Sequence, residues 1–234
     1  MNEQTKDTGR YFRISLGIAL LTNLLVFQGS RLLTKGRFHY DLTLPADSAI
    51  PFLPWTITVY FGCFVFWLFL YGLVSRLPRR KADRFFCANL LAKAVCLLFF
   101  LLLPTSCTRP ELGGGTLWIA AMRILYAIDA PDNLFPSLHC VIAWLCWVGI
   151  RRNRQVPLSR RSFALLMAVA VCLSTLTTRQ HVLLDVAGGI LLSELCYRVA
   201  GSESLLRVYS AYIEKTMLKF KEIEVRFLSC SSKR

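Results

Sequence analysis

The sequence predicts an all-α membrane protein, a polytopic bundle of six transmembrane helices. Hydrophobic residues make up 55% of the 234 residues, and the mean hydropathy is +0.48. Soluble domains usually contain only about 45–50% apolar residues. The apolar residues also form blocks close to the roughly 20 residues that a bilayer-crossing helix needs, and clusters of Lys and Arg lie between the blocks. These three observations exclude an ordinary soluble domain.

The six predicted spans follow the apolar blocks in chain order. They cover residues 11–28, 52–74, 85–103, 136–150, 162–176 and 182–199. The polar residues 1–10 before the first block are expected to be disordered or to lie at the interface. A further apolar helix at 117–128 is too short to span the bilayer and is expected to lie at the membrane surface.

The chain is predicted to form one membrane domain followed by a tail. Residues 1–200 hold the six spans, with active-site loops at 104–139 and 174–185. Residues 201–234 combine apolar positions on one helical face with many lysines. That pattern is typical of an amphipathic helix on an anionic cytoplasmic leaflet, and a partner-binding tail is the alternative interpretation.

The distribution of charge predicts the orientation of the chain in the membrane. The formal net charge is +14, but the positive residues are clustered between apolar blocks, which excludes nucleic-acid binding. The N-terminal residues up to Arg13, the loops at 76–84 and 151–161 and the segment from Arg198 onward carry 21 of the 28 Lys and Arg residues. Both termini are therefore expected in the cytoplasm. Short loops and the absence of an N-x-S/T sequon favour a plasma membrane, with an organelle membrane left open.

Two of the three histidines lie in polar segments that adjoin apolar blocks. His181 is followed four residues later by Asp185, and this spacing lets the carboxylate orient the imidazole on one helical face. His139 lies just inside the start of the fourth span, where backbone N–H groups favour an anion. The arrangement is suited to cleavage of a phosphate ester. His181 is the predicted nucleophile, Asp185 orients it, and His139 supplies the proton for the leaving oxygen.

Three further residues are predicted to bind the phosphate. Arg109 is suited to bidentate contact with phosphate oxygens. Ser137 adds donors at the start of the fourth span, or acts only as its N-cap, and Arg179 adds positive charge. All these candidates fall on the side opposite the termini, so the active site is expected on the outer or lumenal face.

No cofactor and no metal are implied by these residues. The nine cysteines are scattered without a CxxC pair, which disfavours a zinc site or a disulfide framework. The carboxylates do not form a metal-ligand cluster either. A metal-independent reaction is therefore expected.

At these residues the chain resembles the type-2 phosphatidic acid phosphatase superfamily, whose motifs are KxxxxxxRP, PSGH and SRxxxxxHxxxD. Arg109-Pro110 matches the end of the first motif, Pro136-Ser137-Leu138-His139 matches the second, and Ser174 to Asp185 keeps the spacing of the third. The resemblance covers roughly residues 45–200. It implies a six-helix membrane enzyme that forms a phosphohistidine at His181, with His139 as general acid.

Three positions depart from the family motifs. The lysine of the first motif falls at Leu102, the glycine of the second at Leu138 and the arginine of the third at Thr175. Two of the usual phosphate ligands are therefore absent. These departures are more similar to the branch that contains inositol-phosphoceramide and sphingomyelin synthases, in which the phosphoryl group passes to an alcohol instead of water.

The resemblance leaves three functions open. The wider expectation is a phosphatase that hydrolyses a lipid phosphate or lipid pyrophosphate, with membrane lipids around it. The alternative is a phosphotransferase that moves a phosphoryl headgroup between a lipid and an alcohol. The second alternative is an inactive homologue that binds lipid phosphates, or a solute carrier.

Two further predictions concern polar residues in and beside the spans. Lys93 and Glu194 lie at similar predicted depths in the third and sixth spans, and buried ionisable residues are usually paired, so they are expected to pair with each other. Asp47, in the loop before the second span, either contacts a lipid headgroup or caps a turn.

Overall fold

The computed structural model describes the backbone of residues 3–231 and the side chains of residues 7–222. This part of the chain is almost entirely helical. Helix α1 (Glu3–Leu24) continues through a π-helical segment (Leu25–Gly29) into α2 (Ser30–Thr34). The helices that follow are α3 (Ile57–Ser75), α4 (Arg79–Leu102), α5 (Leu117–Ile128), α6 (Leu138–Ile150), α7 (Leu158–Thr177), α8 (Leu183–Val199) and α9 (Glu203–Ser231). Two short strands, β1 (Tyr40–Asp41) and β2 (Thr105–Ser106), pair in parallel.

Four helical segments are long and apolar enough to cross a membrane. They are Asp7–Thr34, Pro54–Ser75, Arg79–Leu102 and Leu158–Thr177. The helical fold class predicted from the sequence is thereby confirmed, and these segments overlap four of the six predicted spans. The other two predicted spans correspond to α6, with 13 residues, and α8, with 17 residues.

The N-terminal segment was predicted to be disordered or interfacial, and the first alternative is wrong. The segment is helical from Glu3 onward, and residues 1 and 2 lie outside the described part of the chain. A position at the interface stays a prediction. The helix is stabilised where it leaves the apolar block, because Arg10 forms an ion pair with Asp7 one turn earlier and the Tyr11 hydroxyl donates to Asp83 of α4. Apolar periodicity alone did not reveal these polar contacts.

Helix α6 is the centre of the bundle, because it packs against α3, α4, α7 and α8. Its residues Leu145, Cys146 and Ile150 are fully buried. At Gly149, a Cβ atom would lie 2.6 Å from the Phe85 ring of α4, so the missing side chain lets the two helices approach closely. A short helix enclosed by longer ones places its N-terminus, and the histidine that it carries, inside the bundle.

Helix α9 packs against α1 and α4 and is not isolated from the bundle. Tyr209 and Ile213 on its apolar face are buried in the main core cluster. Ser210 donates a hydrogen bond of 2.7 Å to Asp83, which also accepts from Arg79. Part of the apolar face of α9 is therefore covered by the protein's own core. Val208 and Tyr212 are exposed, and binding of the tail to a lipid leaflet or to a partner stays a prediction.

The predicted pair between Lys93 and Glu194 is wrong. The Lys93 ammonium is buried and donates a hydrogen bond of 2.5 Å to the carbonyl of Ala19 in α1. Glu194 instead forms a two-pronged ion pair with Arg151, with N–O distances of 2.5 and 2.7 Å. Glu194 pairs with Arg151 because Arg151 directly follows α6 and lies close to Glu194 of α8. The planar guanidinium donates two parallel hydrogen bonds, a geometry that matches a carboxylate.

Candidate active site

The start of α6 is fixed by a capping interaction. The Ser137 hydroxyl accepts a hydrogen bond from the backbone N–H of Cys140, and Ser137 is fully buried. The Ser137 N–H donates to the carbonyl of Asp185 at 3.1 Å. Ser137 is therefore the N-cap of α6, and its backbone ties the beginning of α6 to the beginning of α8. This contact brings the two segments that carry the predicted catalytic residues together.

Asp185 orients His181, as the spacing predicts. Oδ2 of Asp185 accepts from His181 Nδ1 at 3.1 Å and from the Val182 N–H at 3.0 Å. The backbone N–H of His181 donates to the carbonyl of Thr175 near the end of α7. The backbone and the side chain of His181 are thus both held by hydrogen bonds. With Nδ1 assigned as the donor to the carboxylate, Nε2 keeps its lone pair. That nitrogen is the one available to a substrate.

His139 lies opposite His181, with 6.2 Å between the two ring centroids. Its imidazole packs against three aromatic rings of α3, at centroid distances of 4.4 Å for Tyr60, 5.6 Å for Trp67 and 6.1 Å for Phe64. The Tyr60 hydroxyl lies 3.5 Å from Nδ1 of His139 and donates to Asp129 at 2.9 Å. Because the hydroxyl proton points to Asp129, the hydroxyl oxygen is free to accept from Nδ1–H of His139.

The surroundings of the pair change two pKa values. Burial opposes the charged form of His181, but the hydrogen bond and the negative charge of Asp185 outweigh it and raise the pKa of His181 above its ordinary value of 6.5. Burial also raises the pKa of Asp129 above its ordinary value, although the hydrogen bond from Tyr60 acts in the other direction. Both shifts follow from placing titratable groups in a confined site.

Both histidines line one cavity of about 350 Å³. A volume of this order falls in the range of small-molecule pockets. Its apolar lining includes Phe27, Phe61, Phe64, Trp67, Phe100, Leu125, Ile128, Leu134, Leu138 and Ile142. Its polar lining, besides the histidines and Tyr60, consists of Asn23, Gln28, Asp129, Asp132, Asn133 and Gln180. The site therefore combines an apolar wall with a limited set of polar side chains.

Arg109 is held next to the cavity. Its guanidinium donates to Oε1 of Gln180, the residue before His181, and stacks 4.4 Å above the ring centroid of Tyr126. Nε of Arg109 and Nε2 of Gln180 are buried donors without a hydrogen-bond partner among the described residues. Two unused donors beside the predicted nucleophile His181 are suited to the equatorial oxygens of a phosphate.

Arg179 is not brought to the cavity. Its backbone has a positive φ of 56°, and its guanidinium donates to the carbonyls of Asp47 and Ile50. Asp47 in turn accepts from the N–H groups of Leu183 and Leu44. The arginine and the aspartate hold the loop before α3 to the start of α8. Of the two roles predicted for Asp47, the structure shows the capping role. Because the Arg179 guanidinium is bonded to this loop, Arg179 is not included among the proposed phosphate ligands.

The three positions that depart from the family motifs carry no charge to the site. The Leu102 side chain is 70% exposed on the surface of the bundle. Thr175 is fully buried, and its hydroxyl donates to the carbonyl of Cys172. Leu138 lines the cavity. In the described part of the chain, no group of three His, Cys, Asp or Glu side chains has the arrangement of a metal site.

Sequence analysis did not identify Tyr60, Asp129 and Gln180 as site residues. Gln180 had a usable signal, because it directly precedes His181 in the third motif. Asp129 follows the apolar helix at 117–128, where a helix-terminal carboxylate has many ordinary roles. Tyr60 lies in an apolar span, and nothing in its neighbourhood distinguishes it from a packing residue.

The fold and the site together define the class of this protein. It is a membrane-type helix bundle in which a histidine, bonded to a carboxylate, faces a second histidine in one cavity. A family model described as the PAP2 superfamily matches residues 49–199. The chain belongs to the PAP2 superfamily, and the resemblance to type-2 phosphatidic acid phosphatases is confirmed. The match begins before α3 and ends with α8, so it includes both histidines and Asp185.

Searches of the curated proteins and of the solved structures returned no match. Membership of the superfamily indicates an activity of the phosphatase or phosphotransferase type. The apolar helices are compatible with an integral membrane protein.

Proposed function

We propose that this protein is a membrane phosphatase that hydrolyses a lipid phosphate or lipid pyrophosphate through a phosphohistidine at His181. The observation that carries the proposal is the pair of rings 6.2 Å apart in one cavity, with only His181 bonded to a buried carboxylate. One histidine is thereby made the better nucleophile, and the other remains available to handle the leaving-group proton.

The first chemical step forms a bond between Nε2 of His181 and phosphorus. The bond from phosphorus to the lipid oxygen breaks, and that oxygen takes a proton from His139. Asp185 stabilises the positive charge that develops on the imidazole of His181. In the second step His139 accepts a proton from water, the water oxygen bonds to phosphorus, and the N–P bond breaks to release inorganic phosphate.

Donors around the cavity support the negative charge of the phosphoryl group. Arg109 supplies a guanidinium, Gln180 supplies an amide N–H, and the N-terminus of α6 adds the positive end of a helix dipole. Preorganised donors of this kind account for much of the rate enhancement in phosphoryl transfer. This route uses side chains and backbone alone, so the proposed reaction is independent of metal ions.

The proposed arrangement in the membrane has six spans. Helix α6 with 13 residues and α8 with 17 residues are about 20 Å and 26 Å long, shorter than the roughly 30 Å hydrocarbon layer. Helix α6 is enclosed by longer helices, and both short helices begin below the membrane boundary in this arrangement, which leaves a recess for the site. The excess of basic residues on the opposite side supports cytoplasmic termini and a site on the outer face. Short loops and the absence of an N-x-S/T sequon support a plasma membrane location.

The proposed function is tested by measuring the release of inorganic phosphate from detergent-dispersed lipid phosphates and polyprenyl pyrophosphates in the presence of EDTA. Phosphate release by the unchanged protein is expected to survive EDTA and to disappear in His181→Ala. The matched control is His39→Ala, because His39 lies outside the cavity and bonds only to the Arg37 carbonyl among the described residues. Loss of activity with EDTA would contradict the metal-independent route.

A phosphotransferase is the second candidate, and it is favoured by the absence of charge at Leu102 and Thr175. With fewer cations around the phosphate, the site is less specialised for holding a free phosphate dianion. In this case the phosphohistidine passes its group to an alcohol, and the product appears only when an acceptor is added. If neither the hydrolysis assay nor the transfer assay gave a product, the result would favour an inactive homologue that binds lipid phosphates.

A further inference from the structure

One buried amide in the cavity has an oxygen with nothing to accept from. Asn133 is only 7% exposed, and its Nδ2 donates to Thr34 at 3.0 Å and to Ser30 at 3.3 Å. Each hydroxyl already gives its own proton to a backbone carbonyl of the α1–α2 segment, so each can only accept from the amide. The orientation of Asn133 is thereby fixed, and Oδ1 is left without a partner in a residue that lines the cavity.

A second unpartnered acceptor lies on α1. Oδ1 of Asn23 is buried without a hydrogen-bond partner, and Asn23 lines the same cavity. A buried carbonyl oxygen that accepts nothing costs about 1–3 kcal/mol. Two such oxygens on one cavity wall are explained if a ligand donates to them. Neither oxygen is suited to a phosphate, because phosphate oxygens are themselves acceptors.

The third acceptor near these amides is charged but neutralised. Asp132 also lines the cavity, and its Oδ1 lies 3.0 Å from Nε of Arg31. The ion pair removes most of the attraction that a lone carboxylate would exert on a cation. What remains is a set of oxygens with little net charge, which favours neutral hydroxyl donors over an ammonium group.

We propose that Asn133, Asn23 and Asp132 form a subsite for the hydroxyl groups of a polyol next to the phosphoryl group. The polyol is either the part of the lipid headgroup that carries the phosphate monoester to be cleaved or a free alcohol that accepts the phosphoryl group. The inference rests on the proposed function, because it assigns the rest of the cavity to the reacting phosphate. It adds to that function the chemical class of the group bound beside the phosphate, which is a polyol.

The test measures binding in a His181→Ala background, so that no probe is turned over. Isothermal titration calorimetry compares glycerol 3-phosphate with propyl phosphate, which keeps the carbon chain and the phosphate and lacks the hydroxyls. Inorganic phosphate reports the phosphate position alone, phosphocholine reports a preference for a cation, and glycerol reports the free alcohol. The subsite variant is Asn23→Leu, which has a similar shape and removes no hydrogen bond of the described chain. The control is Gln155→Leu, at an exposed position outside the cavity.

The proposal predicts that glycerol 3-phosphate binds about tenfold more tightly than propyl phosphate, and that Asn23→Leu abolishes this difference. Binding of inorganic phosphate is expected to stay within about twofold in both leucine variants. Equal binding of the two esters, or tighter binding of phosphocholine, would overturn the subsite while leaving the phosphate position intact. Absence of inorganic phosphate binding in every protein would instead count against the proposed function.

The two sources of the hydroxyls are separated by the glycerol arm. Enhanced binding of glycerol in the presence of inorganic phosphate, lost in Asn23→Leu, identifies an acceptor alcohol. Preference for the ester without measurable binding of free glycerol identifies the lipid headgroup.

Discussion

The strongest residue-level expectation concerns the carboxylate behind the nucleophile. Asp185→Asn keeps the shape of the side chain but removes the charge that stabilises the developing imidazolium of His181. A comparable change in a Ser-His-Asp triad lowers kcat by about 10⁴, and we expect a loss of at least about 10³ here with little change in KM. Steady-state kinetics on a lipid phosphate measure it. Asp41→Asn, at the exposed end of β1, is the control and is expected to stay within about twofold.

The pKa of His181 predicts the acid limb of the pH profile. The nucleophile must be neutral at Nε2, and although burial favours the neutral form, Asp185 raises the pKa of His181 above 6.5. As the pH falls through that raised pKa, the imidazole takes up a proton and kcat/KM falls about tenfold per pH unit.

The midpoint of this limb is therefore expected above pH 6.5. In Asp185→Asn, His181 is still buried, but the negative charge of Asp185 that raises the pKa of His181 is gone. The acid limb of the remaining activity is therefore expected at lower pH. A limb that does not move with this substitution would show that a different group controls it.

The residues of the site could be predicted where a local rule connects them. The four-residue spacing of His181 and Asp185 predicted their contact, but not its form. His181 lies before α8 and Asp185 in its first turn, so the contact spans the start of the helix and is not made along one helical face. Tyr60 meets His139 through the packing of α3 against α6, and Asp129 meets Tyr60 where α5 packs against α3. No sequence period encodes these contacts. The contacts of the Arg179 guanidinium with the carbonyls of Asp47 and Ile50 could not be predicted, because they join segments that are far apart in the sequence.

At the level of helices, the close approach of α6 and α8 controls the geometry of the site. A Cβ atom on Gly189 would lie 3.0 Å from the Cys140 Cβ and 3.0 Å from the Ser137 carbonyl oxygen. Gly189→Ala is therefore expected to push the start of α6, with His139, away from the start of α8. Overpacking of this kind costs about 1–3 kcal/mol of unfolding free energy. Thermal unfolding in detergent and kcat are expected to fall together.

The control for this change is Gly62→Ala on α3, where an added Cβ meets nothing within 4 Å. The same substitution there exchanges a poor helix former for the best one. Its stability is expected to be unchanged or slightly higher, with activity retained. An equal loss of stability and activity in Gly189→Ala and Gly62→Ala would mean that the close contact between α6 and α8 does not control the geometry of the site.

The existence of the helices was readable from the sequence, and their partners were not. Apolar blocks predict spans because the bilayer demands a continuous apolar surface. The contacts of Lys93, Glu194 and Asp83 depend on which parts of the helices meet in space. The helical start at Glu3 was missed because polar residues before an apolar block do not show whether they continue its helix.

For the molecule as a whole, composition determined the class and the motifs determined the family. The docking of α9 could not be predicted, because an amphipathic pattern fits a lipid surface and a protein core equally well. The structure buries Ile213 of α9 against the bundle, so one apolar face is used without a lipid. Orientation in the membrane is a property of the whole chain and requires its own measurement.

Sidedness is predicted by the clusters of basic residues, which place the loop at 151–161 in the cytoplasm and the loop at 104–134 outside. In right-side-out vesicles, Glu111→Cys is expected to react with an impermeant maleimide. Gln155→Cys is expected to react only after permeabilisation. Burial raises the pKa of the native Cys107 thiol to about 12, so it reacts slowly, and Cys107→Ser with Cys230→Ser provides a clean background. The reverse labelling pattern would place His181 on the cytoplasmic side, and its substrate would then have to come from the inner leaflet.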